Sequence, residues 1–154
     1  MPRLQTRYFG AVDYGEESVY NLPHGLPGFE GEREFLFIEQ PANKPLVFVQ
    51  SLATPELCFL AVAARVLAPD YRLILSAEDL AELGLSPDGQ PEIGPELLCL
   101  LILSVEEGAP ATVNLLSPLV VNLRLRRGMQ AVQSDSGYSH RHPLGDFGAE
   151  APCL

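Results

Sequence analysis

Gly25, Gly28 and Gly31 recur three residues apart in "NLPHGLPGFEG", Asn21 to Gly31. Such spacing lets a glycine-rich loop bring main-chain N–H groups onto a phosphate. The neighbouring residues argue against that chemistry. A phosphate loop needs Gly-Lys-Ser/Thr opening a long helix, and a dinucleotide fingerprint needs a strand before the glycines and a helix after them. Here Pro27 interrupts, no lysine follows, and Glu30, Glu32 and Glu34 would repel a phosphate. The composition suits a stiff corner instead. Pro23 and Pro27 fix φ, Gly25 and Gly28 permit turns closed to other residues, and Phe29 supplies an anchor.

Other chemistry is thinner. His140 and His142 in "SHRHP" stand two apart, a spacing that puts both on one face of a strand, but no third metal ligand accompanies them. Arg124, Arg126, Arg127 and Arg141 make the one basic cluster, which reads as a solvated face. No GxSxG elbow is present, the single Lys44 leaves little scope for lysine chemistry, and no carboxylate pair stands out among 20 acidic residues. On the residues alone catalysis is unsupported rather than excluded, and no catalytic residue, metal or cofactor is assigned. Of three cysteines, Cys58 and Cys99 lie in apolar runs and read as reduced, buried thiols, with Cys153 close to the C-terminus.

The net charge of -10 on 154 residues, at a pI near 4.6, opposes direct nucleic-acid binding, which needs clustered Lys and Arg to release counterions. The same field would attract a basic protein and repel any RNA that protein carried. No apolar run approaches the roughly 18 residues that span a bilayer, and "MPRLQTRYFG" lacks the features of a secretion signal. A cytoplasmic protein with no membrane contact is expected. Nothing resembling a heptad is present, and the expectation is a monomer.

The elements that position these residues read mainly as strands. "RLQTRYFGAVDYGEE" alternates, and "FLFIEQ" (Phe35–Gln40), "LVFVQSL" (Leu46–Leu52) and "LCFLAV" (Leu57–Val62) follow across "PANKP" and "ATPE", which are turn compositions. "LLCLLILSV" (Leu97–Val105) lacks alternation and reads as a strand buried on both faces, with a helix as the competing assignment. "LVVNLRLRR" places Leu119, Val121, Leu123 and Leu125 on one face, with Arg127-Gly128 as a tight turn into "MQAVQ". One short helix is expected at "SAEDLAELG", capped by Ser76, with Asp79 placed to reach back and Gly84 ending it. "SPDGQPEIGP" reads as an exposed loop. The sum is a mainly β fold, a single compact β-barrel-like domain of short antiparallel strands with one short helix, over residues 1–144. Residues 145–154 are expected to form a flexible tail.

In order and spacing, "NLPHGLPGFEG", "FVQSLATPELCFLAV", "ATVNLLSPLVVNL" and "GMQAVQSDSGYSHRHPL" resemble the bacterial flagellar assembly factor family FliW, over about residues 4 to 144. The sequence departs from the family pattern in "AARVLAPDY" and after Leu144. The resemblance implies a non-enzymatic cytoplasmic regulator that binds two partners, the translational repressor CsrA and flagellin. Flagellin, when plentiful, would occupy the protein; once flagellin is exported, the freed protein would capture CsrA and relieve repression of flagellin translation.

Carried over from the family motifs are Leu26, Pro27, Gly28, Phe29 and Glu30, and separately Asn114, Leu115, Pro118 and Asn122. Leu26, Pro27, Gly28, Leu115, Pro118 and Asn122 are expected to be structural. Phe29, Glu30 and Asn114 are the residues expected to face a partner, followed by Gln50 and Tyr71, because rigid corners present exposed groups at small entropic cost. On the residues alone, Asn114 and Asn122 each fit either a buried, hydrogen-bonded role or a partner-facing one. Two other functions stay open: an export chaperone that binds flagellin without translational control, and a β-barrel holding a small hydrophobic ligand, or hydrolysing one, in its interior.

Overall fold

The computed structural model describes residues 2–144, so the expected tail at 145–154 lies outside the described residues. The chain is mainly β. An N-terminal hairpin of β1 (Arg3–Thr6) and β2 (Gly10–Asp13) stands apart from one larger sheet. That sheet contains β3 (Val19–Asn21), β4 (Glu34–Ile38), β5 (Leu46–Ser51), β6 (Cys58–Ala63), β7 (Leu97–Ser104), β8 (Thr112–Val113), β9 (Leu119–Asn122), β10 (Arg127–Gln130) and β11 (His142–Pro143). Two short helices, α1 (Ala64–Leu67) and α2 (Ala77–Glu82), lie between β6 and β7.

Strands β3 to β7 form an antiparallel meander: short, turn-rich connections join β4, β5 and β6, whereas residues 22–33 link β3 to β4 and residues 64–96, with both helices, link β6 to β7. The ring closes because β9 pairs with β7, β10 with β9, and β10 with β3, giving a barrel of seven strands. Closure removes the unpaired edges that an open apolar sheet would expose. The far edge of β7 is shared: Leu97 to Leu100 pair with β9, while Leu103 and Ser104 pair with β8, which carries β11 outside the ring.

This arrangement explains the apolar run Leu97–Val105. Leu98, Leu100 and Ile102 join a cluster inside the barrel with Leu22, Phe35, Val47, Val49, Ala61, Leu119 and Val121. The alternate residues Leu97, Cys99, Leu101 and Leu103 face outward into a second cluster, under Leu67, Tyr71, Leu73, Leu75, Leu80 and Leu83. Both faces of β7 are therefore apolar because both are covered. An open hollow of about 500 Å³ lies at one end, where Tyr20 stacks on Phe37 at 4.3 Å.

Several expectations need correction. The alternating N-terminal stretch is a hairpin, folded back where Thr6 Oγ1 donates to the Gly10 carbonyl and accepts from the Phe9 N–H. It docks through Phe9, whose ring meets Phe48 edge-on at 4.9 Å. The strand pairing is not wholly antiparallel, since β10 runs parallel to β3. "LVVNLRLRR" is not one two-faced strand: β9 ends at Asn122, all four of its residues are buried, and the turn falls between Asn122 and Arg127. Arg126 takes the left-handed conformation there, with φ 54. The helix at Ala77–Glu82 has the expected cap, the Asp79 N–H donating to Ser76 Oγ at 3.1 Å. It is joined by α1, a single turn within "AARVLAPDY", where the sequence departs from the family pattern.

Candidate functional site

The corner between β3 and β4 is built by its prolines and glycines. The Phe29 N–H donates to the Leu26 carbonyl at 2.7 Å, with Pro27 and Gly28 between them and Gly28 at φ 84. This is the geometry of a type II turn, in which proline suits the second position and glycine the third. Gly25 precedes it at φ 62, and a Cβ there would lie 2.5 Å from the Phe29 carbonyl oxygen, so the turn folds back against glycine where no side chain fits. Leu22 and Leu26 are buried in the barrel core, each burial stabilising the corner by about 1.5–3 kcal/mol.

The corner thereby holds Phe29 and Glu30 at the surface. Phe29 remains 41% exposed while its ring edge rests on Phe59, centroids 5.3 Å apart. Glu30 is exposed. Glu32 points back instead: its Oε1 accepts from Ser51 Oγ at 2.6 Å, and Ser51 Oγ accepts from the Thr54 N–H at 3.0 Å. Hydrogen bonding from Ser51, then from Thr54, holds the Glu32 carboxyl below the usual carboxylate range. His24 reaches across to α2, its Nε2 lying 2.7 Å from Glu82 Oε1.

Gln50 and Tyr71, expected from the sequence to face a partner, are enclosed instead. Gln50 is 0% exposed, and its Nε2 donates to the carbonyls of Ser51, Pro55 and Leu57 at 3.0, 3.0 and 3.2 Å, fastening the β5–β6 turn. Tyr71 is 2% exposed, stacks on Tyr138 at 4.7 Å and donates from its hydroxyl to the Leu115 carbonyl at 2.6 Å. Burial raises its phenol pKa well above the ordinary value. The Gln50 amide nitrogen and the Tyr71 hydroxyl thus find internal acceptors, whereas Gln50 Oε1 is buried with no hydrogen-bond partner among the described residues.

The second motif is organised by turns. Asn114 is half-buried, and its Oδ1 accepts from the Ser117 N–H at 2.9 Å, the local bond that lets asparagine shape a turn. Leu115 is buried, and the Pro118 carbonyl accepts from the Ala131 N–H at 3.0 Å. Asn122 is 2% exposed: its Nδ2 donates to the Leu83 carbonyl at 2.8 Å and its Oδ1 accepts from the Arg124 N–H at 3.2 Å, joining the end of α2 to the β9–β10 turn.

The four arginines divide. The Arg126 guanidinium donates to the Glu16 carbonyl and that of Arg127 to the Glu82 carbonyl, while Arg124 is exposed in the β9–β10 turn and Arg141 beside β11. Among the described residues no group of three His, Cys, Asp or Glu is placed to hold a metal ion. Burial pushes the thiols of Cys58 and Cys99 up to about 11 and about 12, so both are poor nucleophiles; Cys153 lies outside the described residues. No helix among the described residues is long and apolar enough to cross a membrane.

The sequence reading missed Gln133. Its side chain is buried, and its Oε1 accepts from the Ile74 N–H at 2.8 Å. The one available signal was the alternation in "YRLILS", where Tyr71, Leu73 and Leu75 are buried between exposed Arg72, Ile74 and Ser76.

Comparison with known proteins bears on the motif corner and on the barrel together. The family model described as "FliW protein" matches residues 3–144. The flagellar assembly factor FliW of Desulfitobacterium hafniense (strain Y51) is 36% identical over 143 residues, covering 92% of this chain and 90% of the relative. That of Bacillus subtilis (strain 168) is 31% identical over 142 residues, covering 92% and 96%. A crystal structure of the flagellar assembly factor FliW superposes with a TM-score of 0.80 at 27% identity, covering 92% of this chain and 96% of that one.

Proposed function

The chain belongs to the FliW family of flagellar assembly factors, and from that premise we propose that it is a non-enzymatic cytoplasmic regulator working as a partner switch between flagellin and a CsrA-type repressor. It binds one or the other, and its capture of the repressor relieves repression of flagellin translation. Two partners that exclude one another shift each other's occupancy by mass action, so the switch requires neither catalysis nor a large conformational change in this protein.

The observation that carries this reading beyond family membership is the net charge of -10 on a domain whose motif corner holds an aromatic and a carboxylate, Phe29 and Glu30, at the surface. An acidic domain gains complementary charge against a basic RNA-binding protein and repels the RNA that competes for it. Phe29, Glu30 and Asn114 are the proposed contact residues. Phe35, Val49, Ala61 and Leu119 fill the middle of the barrel, which confines a ligand-binding reading to the open hollow beside Tyr20 and Phe37.

The test is calorimetric titration of the purified protein with CsrA, repeated after saturation with flagellin and at two salt concentrations. Salt-sensitive binding that flagellin abolishes is the expected result. Binding to flagellin alone would leave an export chaperone, and binding to neither would remove the proposal.

A further inference from the structure

Residues Tyr71 to Ser76 have the side-chain alternation of a strand but pair with no strand of the sheet. Their main-chain groups are met by side chains. On one edge, Gln90 imitates a neighbouring strand: its Oε1 accepts from the Leu75 N–H at 2.7 Å and its Nε2 donates to the Leu75 carbonyl at 2.9 Å. On the other edge the Arg72 N–H donates to the Tyr138 hydroxyl at 3.0 Å, and the Ile74 N–H to Gln133 Oε1 at 2.8 Å. The carbonyls of Arg72 and Ile74, which point the same way as their own N–H groups in an extended chain, accept no hydrogen bond among the described residues.

That edge opens into a groove of about 420 Å³ between this segment and residues 132–138. Ile74 and Val132 line it while 56% and 55% exposed, two of the few large apolar side chains left at the surface. Asp135 also lines it, and Asp70, Glu78 and Asp79 flank the segment along the chain, against the single cation Arg72.

We propose that this groove receives an extended segment of a basic partner protein, whose N–H groups reach the carbonyls of Arg72 and Ile74 while Tyr138 and Gln133 keep the N–H groups of that edge. Two carbonyls two residues apart match the N–H groups of alternate residues in a strand. Ile74 and Val132 offer apolar surface to side chains on one face of that strand, and the flanking carboxylates complement Lys or Arg at its ends. The inference rests on the proposed function for the identity of the partner. The surface is separate from the Phe29–Glu30 corner.

The test is the pair Ile74→Asp and Val132→Asp made together, with Val105→Asp, another exposed apolar position, as the control. Both carry added negative charge, which by long-range attraction alone would strengthen binding to a basic protein. Each is titrated with CsrA after circular dichroism and thermal melting confirm the wild-type fold. The expected result is a loss of about tenfold or more in affinity for the double variant with Val105→Asp unchanged. Wild-type affinity in the double variant would overturn the groove and leave the proposed function standing. Equal loss in Val105→Asp would also overturn it, and absence of wild-type binding would overturn both. Wild-type self-association abolished by the double substitution would assign the groove to a second copy of this chain instead.

Discussion

The hydroxyl of Tyr71 donates to the carbonyl of Leu115 at 2.6 Å, joining residues 44 apart in sequence. One end is the segment that follows α1 and the other is the second family motif, so this bond ties two distant parts of the outer cluster together.

Tyr71→Phe keeps the ring and its stacking on Tyr138 but leaves the Leu115 carbonyl without its donor. A loss of about 1–3 kcal/mol is expected, the cost of an unsatisfied buried acceptor. Urea unfolding would show it as a lower midpoint with an unchanged slope. Partner affinity, measured where both proteins are folded, should not change.

Gly25→Ala and Gly28→Ala should differ although both glycines have positive φ. At Gly28 nothing lies within 4 Å of an added Cβ, so the cost is the left-handed conformation alone, about 1–2 kcal/mol. At Gly25 the Cβ would meet main-chain atoms at 2.5 and 2.7 Å, and the corner must move. The Gly25 variant should be the less stable of the two by denaturant titration; equal stabilities would contradict the packing described for the corner.

Glu32 gives a pH signature. Its folded-state pKa is depressed, so its contribution is present above the unfolded value, about 4.3, and is lost as pH falls through the folded value. Comparing wild type with Glu32→Gln by thermal melting, the wild type should be more stable at neutral pH, the gap closing below about pH 4. A gap that persists in acid would mean that the charge on Glu32 is not what Ser51 and Thr54 favour.

Phe29→Ala and Glu30→Ala separate fold from contact. Loss of the edge-on contact with Phe59 should cost about 0.5–1.5 kcal/mol beyond the change in buried area, whereas Glu30→Ala should leave stability near wild type. If this corner meets a partner, both should weaken binding to CsrA or flagellin. Unchanged binding to both partners would confine the motif to shaping the turn.

Much of the architecture was readable because its signals are local. Short turns between apolar runs fit the antiparallel pairing of β4, β5 and β6, Ser76 and Asp79 mark a helix start, and the apolar run Leu97–Val105 bracketed by Pro95 and Gly108 fits a strand covered on both sides. What was not readable depends on distant pairing. The parallel contact of β10 with β3 joins Arg127 to Asn21, and no local pattern specifies it. The burial of Gln50 and Tyr71 was not legible for a related reason. A polar side chain looks exposed in sequence, but its burial depends on carbonyls contributed by other segments: Pro55 and Leu57 for Gln50, Leu115 for Tyr71. The turn chemistry of Pro27-Gly28 is local and was readable, whereas the clash that excludes a Cβ at Gly25 comes from the chain folding back on itself.

Closure of the barrel through β9 and β10 also sets an order of events during synthesis. A ribosome delivers β3 to β7 first, and these strands can form only an open sheet whose two edge strands, β3 and β7, await partners that arrive with residues 119–130. Until Gln130 has left the exit tunnel the nascent chain carries two uncovered strand edges beside some of its most apolar segments, the form in which it is most exposed to misassembly with other nascent chains.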